Sequence, residues 1–126
     1  MELEQAKEII SFCAKSSKFP LEKFPILTDF RFESIEHNAK GAFWIDKKGN
    51  PVIYIDLNFS DPAWVITHEF IHFLQWFRGD LTVKGNMLFY KNVDTSGLPY
   101  YSRPEEKEAR EAGETLWRAW NRQNRG

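Results

Sequence analysis

The chain has 126 residues, a formal charge of −1 and an apolar fraction of 42% that includes eleven Phe and five Trp. That length suits one domain with one core, and the near-neutral charge carries no nucleic-acid signature. One cysteine, Cys13, excludes an internal disulfide and a cysteine-based zinc site. No apolar run is long enough to cross a membrane. The start, Met1-Glu2-Leu3-Glu4, is acidic and lacks a signal-peptide pattern, so the expected location is the cytoplasm.

Residues 3–16 carry Ala6, Ile9, Ile10 and Cys13 at helical spacing, with Glu4, Lys7 and Glu8 off that stripe. This predicts an amphipathic helix, with Cys13 as a small core hydrophobe. The stretch from Phe19 to Phe30 reads as a connector pinned by aromatics. Residues 30–35 alternate apolar and polar, which predicts a strand, and His37 follows at its end. Residues 41–45 and 52–56 read as two further strands around the polar turn Asp46-Lys47-Lys48-Gly49-Asn50-Pro51. The expected product is an antiparallel sheet of about three strands.

Asp61 and Pro62 are a natural N-cap and first helical residue, and Gly79 is a natural stop. The helix between them is apolar nearly all round, with Trp64, Val65, Ile66, Phe73, Leu74, Trp76 and Phe77, so it is expected to lie buried. Within it stands His68-Glu69-Phe70-Ile71-His72, the pattern H-E-x-x-H. Residues four apart on a helix share a face, so both imidazoles can address one metal ion. Glu69 sits about 100° around the helix from His68, close enough to work on a water there. Two of the three histidines of the chain are used in this pattern. Burying them with a carboxylate is costly without partners, and a metal supplies those partners.

Beyond Gly79, Leu81-Thr82-Val83 and Met87-Leu88-Phe89-Tyr90 flank Lys84-Gly85-Asn86, which predicts a small hairpin. Residues 92–99 read as loop forming one wall of a cleft. The last helix opens either through a Ser102–Glu105 capping box or with Pro104 as its first residue. Its apolar stripe is Ala109, Ala112, Gly113, Leu116 and Trp120. On a helical wheel Glu105 and Glu106 fall within about 60° of that stripe, Glu108 at about 100° and Glu111 at about 160°.

The H-E-x-x-H pattern resembles the zincin metallopeptidases. Gln75 and Arg78 stand where a metzincin has Gly and His, and no aspzincin G-T-x-x-D follows. A glutamate-rich helix does follow, which is similar to the gluzincin arrangement. Arg103-Pro104-Glu105-Glu106-Lys107-Glu108-Ala109 resembles the R-P-x-E-x-E-A segment of small prokaryotic and phage-encoded metallopeptidase-like proteins. It is also similar to the E-x-x-A-N segment of repressor-cleaving peptidases, with Arg110 in place of Asn.

The resemblance implies an α+β minimal zincin-like domain over residues 1–126, with an N-terminal helix, a small sheet, the H-E-x-x-H helix and a last helix carrying the third ligand. It implies zinc held by His68, His72 and a glutamate of that helix. Glu106 is the expected ligand, because Glu105 has a competing role in the cap and E-x-x-A maps onto Glu106-Lys107-Glu108-Ala109. Glu105 and then Glu108 are the alternatives. Glu69 would be the general base in hydrolysis of a peptide or protein substrate. Tyr101 is the expected oxyanion donor, with Tyr100, Arg103 and His37 as further candidates. Two other readings stand beside the enzyme: a non-catalytic zinc module used in protein interaction, and an α+β domain with no metal.

Overall fold

The computed structural model describes residues 3–19, 41–56 and 59–124. The expected connector, the strand at 30–35 and His37 lie outside them. The fold is mixed α+β, with three helices and two small antiparallel sheets among the described residues.

Helix α1 (Leu3–Ser16) buries Ala6, Ile9, Ile10 and Cys13, the stripe its spacing predicts. Burial pushes the Cys13 thiol up to about 12, so it stays protonated as a core group. Strands β1 (Gly41–Ile45) and β2 (Pro51–Ile55) form the expected hairpin, with Phe43 opposite Ile53. The Asp46 carboxylate closes its turn by accepting from the Lys48 and Asn50 amides, each at 2.9 Å. Gly49 takes the left-handed conformation there, with φ of 84°.

Helix α2 (Pro62–Phe77) runs through the middle and packs against α1, both strands of the first sheet and the helix that follows. The Asp61 carboxylate accepts from the Trp64 amide at 3.3 Å, and Pro62 opens the helix. Its other Asp61 oxygen accepts from the Trp117 indole at 3.0 Å, so this cap also ties α2 to the last helix.

The second sheet comprises β3 (Leu81–Lys84), β4 (Met87–Tyr90) and β5 (Val93–Asp94), in that order. Its first hairpin matches the expected one, whereas β5 falls where a loop is expected. Lys91 and Asn92 both have positive φ, 50° and 68°, which is the backbone of a two-residue hairpin turn.

A 3-10 turn at Tyr100–Ser102 leads into α3 (Pro104–Asn124). Of the two expected openings, the one with Pro104 is found. Ser102 sits in the turn, and the Glu105 carboxylate accepts instead from the buried Thr95 hydroxyl. Helix α3 runs antiparallel to α2: Gln75 meets Glu105, and Trp64 meets Trp117 with ring centroids 5.0 Å apart.

Candidate metal centre

Two close approaches define the walls of the site. A Cβ placed on Gly113 of α3 would lie 3.1 Å from His68 Cα and 3.2 Å from His68 N, so the two helices cross here nearly backbone to backbone. A Cβ on Gly41 of β1 would lie 2.3 Å from Val65 Cγ1 and 3.5 Å from Glu69 Cγ. The first glycine brings α3 down onto the histidine helix. The second lets the hairpin press against Glu69.

The crossing sets Glu106 against both histidines. Its carboxylate lies 2.9 Å from His68 Nε2 and 3.0 Å from His72 Nε2. One ligand atom from each of His68, His72 and Glu106 falls within 4.8 Å of the others. A tetrahedral zinc ion with bonds of roughly 2.0–2.1 Å separates its ligand atoms by about 3.4 Å. Glu106 would therefore have to draw back slightly from both histidines to admit such an ion. Two imidazoles and one carboxylate also form a donor set that leaves one coordination position for a small molecule. The residues fit a divalent metal.

The helical wheel is matched in detail. Glu105 and Glu106 are buried, Glu108 is half-buried and Glu111 is exposed. Glu105, an alternative ligand, is turned toward Thr95 and away from the histidines. Glu108, the other alternative, accepts from Gln75, Arg78 and Tyr90.

The electrostatics follow from this packing. Burial disfavours a charged Glu106, but hydrogen bonds from His68 and His72 outweigh it and hold the carboxyl well below the ordinary range. Burial also opposes charge on His72. The Glu106 hydrogen bond and the nearby Glu69 outweigh that and raise His72 to about 9. Glu69 is raised, chiefly by burial, while His72 and His68 pull it partway back and Glu106 adds to the rise. A carboxyl raised in this way holds a proton more readily than a free one.

Tyr101, the expected oxyanion donor, is 75% exposed, and its ring lies against the Arg110 guanidinium at 3.9 Å. Its neighbour Tyr100, 59% exposed, is the tyrosine whose hydroxyl interacts with the Glu106 carboxylate. Burial and that carboxylate together raise the Tyr100 hydroxyl, so it remains a donor. Arg103 is spent on the carbonyls of Leu98 and Ser96, at 3.1 Å each.

One participant escaped the sequence reading. Gln75 is fully buried, and its Oε1 lies 2.8 Å from His72 Nδ1. The available signal was a polar residue three positions after His72 on an otherwise apolar helix.

These charges predict a pH dependence. In metal-free protein the raised His72 contributes stability that is complete below pH 6.5 and fades as pH rises through about 9. The lowered Glu106 contributes above its ordinary value of 4.5 and loses that contribution as pH falls. A metal must displace the His72 Nε2 proton, so zinc should raise the melting temperature less at pH 6 than at pH 8. An equal zinc-induced rise at both values would contradict the assignment of His72 as a ligand.

No protein-family model, curated protein or solved structure matches this chain.

Proposed function

We propose that the protein is a zinc-dependent peptidase of minimal gluzincin type, acting on a peptide or protein substrate. The observation that carries this reading is the convergence of His68, His72 and Glu106 beside Glu69, a buried carboxyl that is not part of the ligand group. His68, His72 and Glu106 would hold the ion. When bound, zinc activates a water and polarises a carbonyl. Glu69 accepts the proton of the attacking water and returns it to the leaving amine. The Tyr100 hydroxyl, which interacts with Glu106, would donate to the developing oxyanion. His68 is the more exposed of the two histidines, so the substrate approaches on its side.

The competing reading is a zinc ion that only staples α2 to α3. It has in its favour that the triad bridges these two helices. It leaves the buried Glu69 without a task.

The test is metal analysis of protein purified without added metal, followed by a peptide-library digest. Expected are one zinc per chain and cleavage that a chelator stops and zinc restores. Glu106→Gln should lose that zinc and Glu105→Gln should keep it. Purified protein that takes up no zinc would rule out the metal reading. Stoichiometric zinc with no cleavage above background would favour the staple.

A further inference from the structure

His72 is held at both ring nitrogens, by Glu106 at Nε2 and by Gln75 at Nδ1. Only a nitrogen without a proton can bind a metal, so the second contact decides which nitrogen is available.

The orientation of the Gln75 amide follows from its surroundings. Its Nε2 lies 3.0 Å from the Glu105 carbonyl oxygen and 2.8 Å from Glu108 Oε1. Both are acceptors, and the amide has two N–H groups, one for each. A flipped amide would set its oxygen against two acceptors in a fully buried place. Gln75 Oε1 must therefore face His72, and an oxygen there requires a proton on Nδ1. Glu108 is itself fixed as an acceptor by Arg78 Nη2 at 3.0 Å and the Tyr90 hydroxyl at 3.2 Å. Arg78 immediately follows α2 and Tyr90 lies on β4, so Glu108 links three elements at this point.

We infer that Gln75 is a positioning residue that keeps the proton of His72 on Nδ1 and leaves Nε2 to bind a metal, with Glu108 as the anchor that orients the amide. The inference rests on the metal reading for its purpose. The hydrogen bond itself can be measured without metal. The carboxylate acts on the imidazole through an intervening amide, and the amide passes on direction without placing a second negative charge against the ring. Outer partners of this kind typically change metal affinity by about 10–100-fold when removed.

The experiment has two arms. In metal-free wild type, nuclear magnetic resonance of the imidazole groups should show a His72 Nδ1–H that is protected from solvent exchange. Its absence overturns the inference whatever the protein does with zinc. In the second arm, zinc affinity is measured by competition with a chromophoric chelator. Gln75→Met keeps the volume and removes both hydrogen-bonding functions. It should lose the protected signal and bind zinc about 10–100-fold more weakly. Wild-type affinity in Gln75→Met overturns the positioning role. Wild type that shows the protected Nδ1–H but binds no zinc defeats the metal reading and leaves the hydrogen bond standing.

Discussion

Replacing Glu69 by Gln is expected to lower peptide cleavage by roughly 10²–10⁴-fold, the usual contribution of a positioned general base, while zinc binding is kept. The amide has nearly the same shape, so the close approach of the hairpin at Gly41 is undisturbed. It cannot accept the proton of the attacking water. Stability should not fall, because a neutral amide is cheaper to bury than a carboxylate beside the charged Glu106. Steady-state cleavage, zinc content and thermal melting on the same preparation separate these effects. Undiminished cleavage in the variant would sink the base assignment. Loss of zinc would mean that Glu69 is a ligand.

Gly113→Val should damage the packing between α2 and α3. Glycine in the middle of a helix costs about 1 kcal/mol against alanine, so local propensity alone favours substitution here. The crossing opposes it. The new Cβ would meet the His68 backbone at 3.1 and 3.2 Å, and backbone cannot rotate aside as a side chain can. Helix α3 must then back away from α2, at a cost of about 1–3 kcal/mol for overpacking. Glu106 moves with it, away from both histidines. Denaturant unfolding should show this destabilisation, and zinc affinity should fall more than tenfold. Gly113→Ala should show a smaller version of both, since helix propensity offsets part of the clash. Wild-type stability and zinc affinity in Gly113→Val would mean that close helix approach does not position the site.

Much of this arrangement was legible because it depends on helices. Asp61, Pro62 and Gly79 mark the ends of α2 by local chemistry, and the 3.6-residue period sets His68 over His72. The same period puts Glu106 on the buried face of α3 and Glu111 on the exposed one. Three features were hidden for definite reasons. The 3-10 turn has no repeat long enough to show which of Tyr100 and Tyr101 lies nearer Glu106, and the aromatic–guanidinium contact of Tyr101 is made with Arg110 of α3. The Ser102–Glu105 cap was a sound local expectation, but Thr95, ten residues before Glu105, competes for the carboxylate. The turn at Lys91-Asn92 depends on positive φ at a lysine, which residue preference does not suggest. Pairing between segments distant in sequence decided the outcome in the second case.

The contact between His72 and Glu106 joins residues 34 positions apart, and the whole second sheet lies inside that span. A metal held there would act on the chain as a cross-link. In the chain-entropy account a covalent clasp around a loop of this size is worth roughly 3–4 kcal/mol, by shrinking what the unfolded chain can explore. The segment with most to gain is the short, largely exposed run from β4 to the 3-10 turn, which has little core of its own. Its lifetime as folded structure would then be set by metal occupancy more than by its own contacts. A protease should nick the chain between Gly79 and Pro99 readily in chelator and slowly in zinc, and equal rates in both would mean that no metal clasps this span.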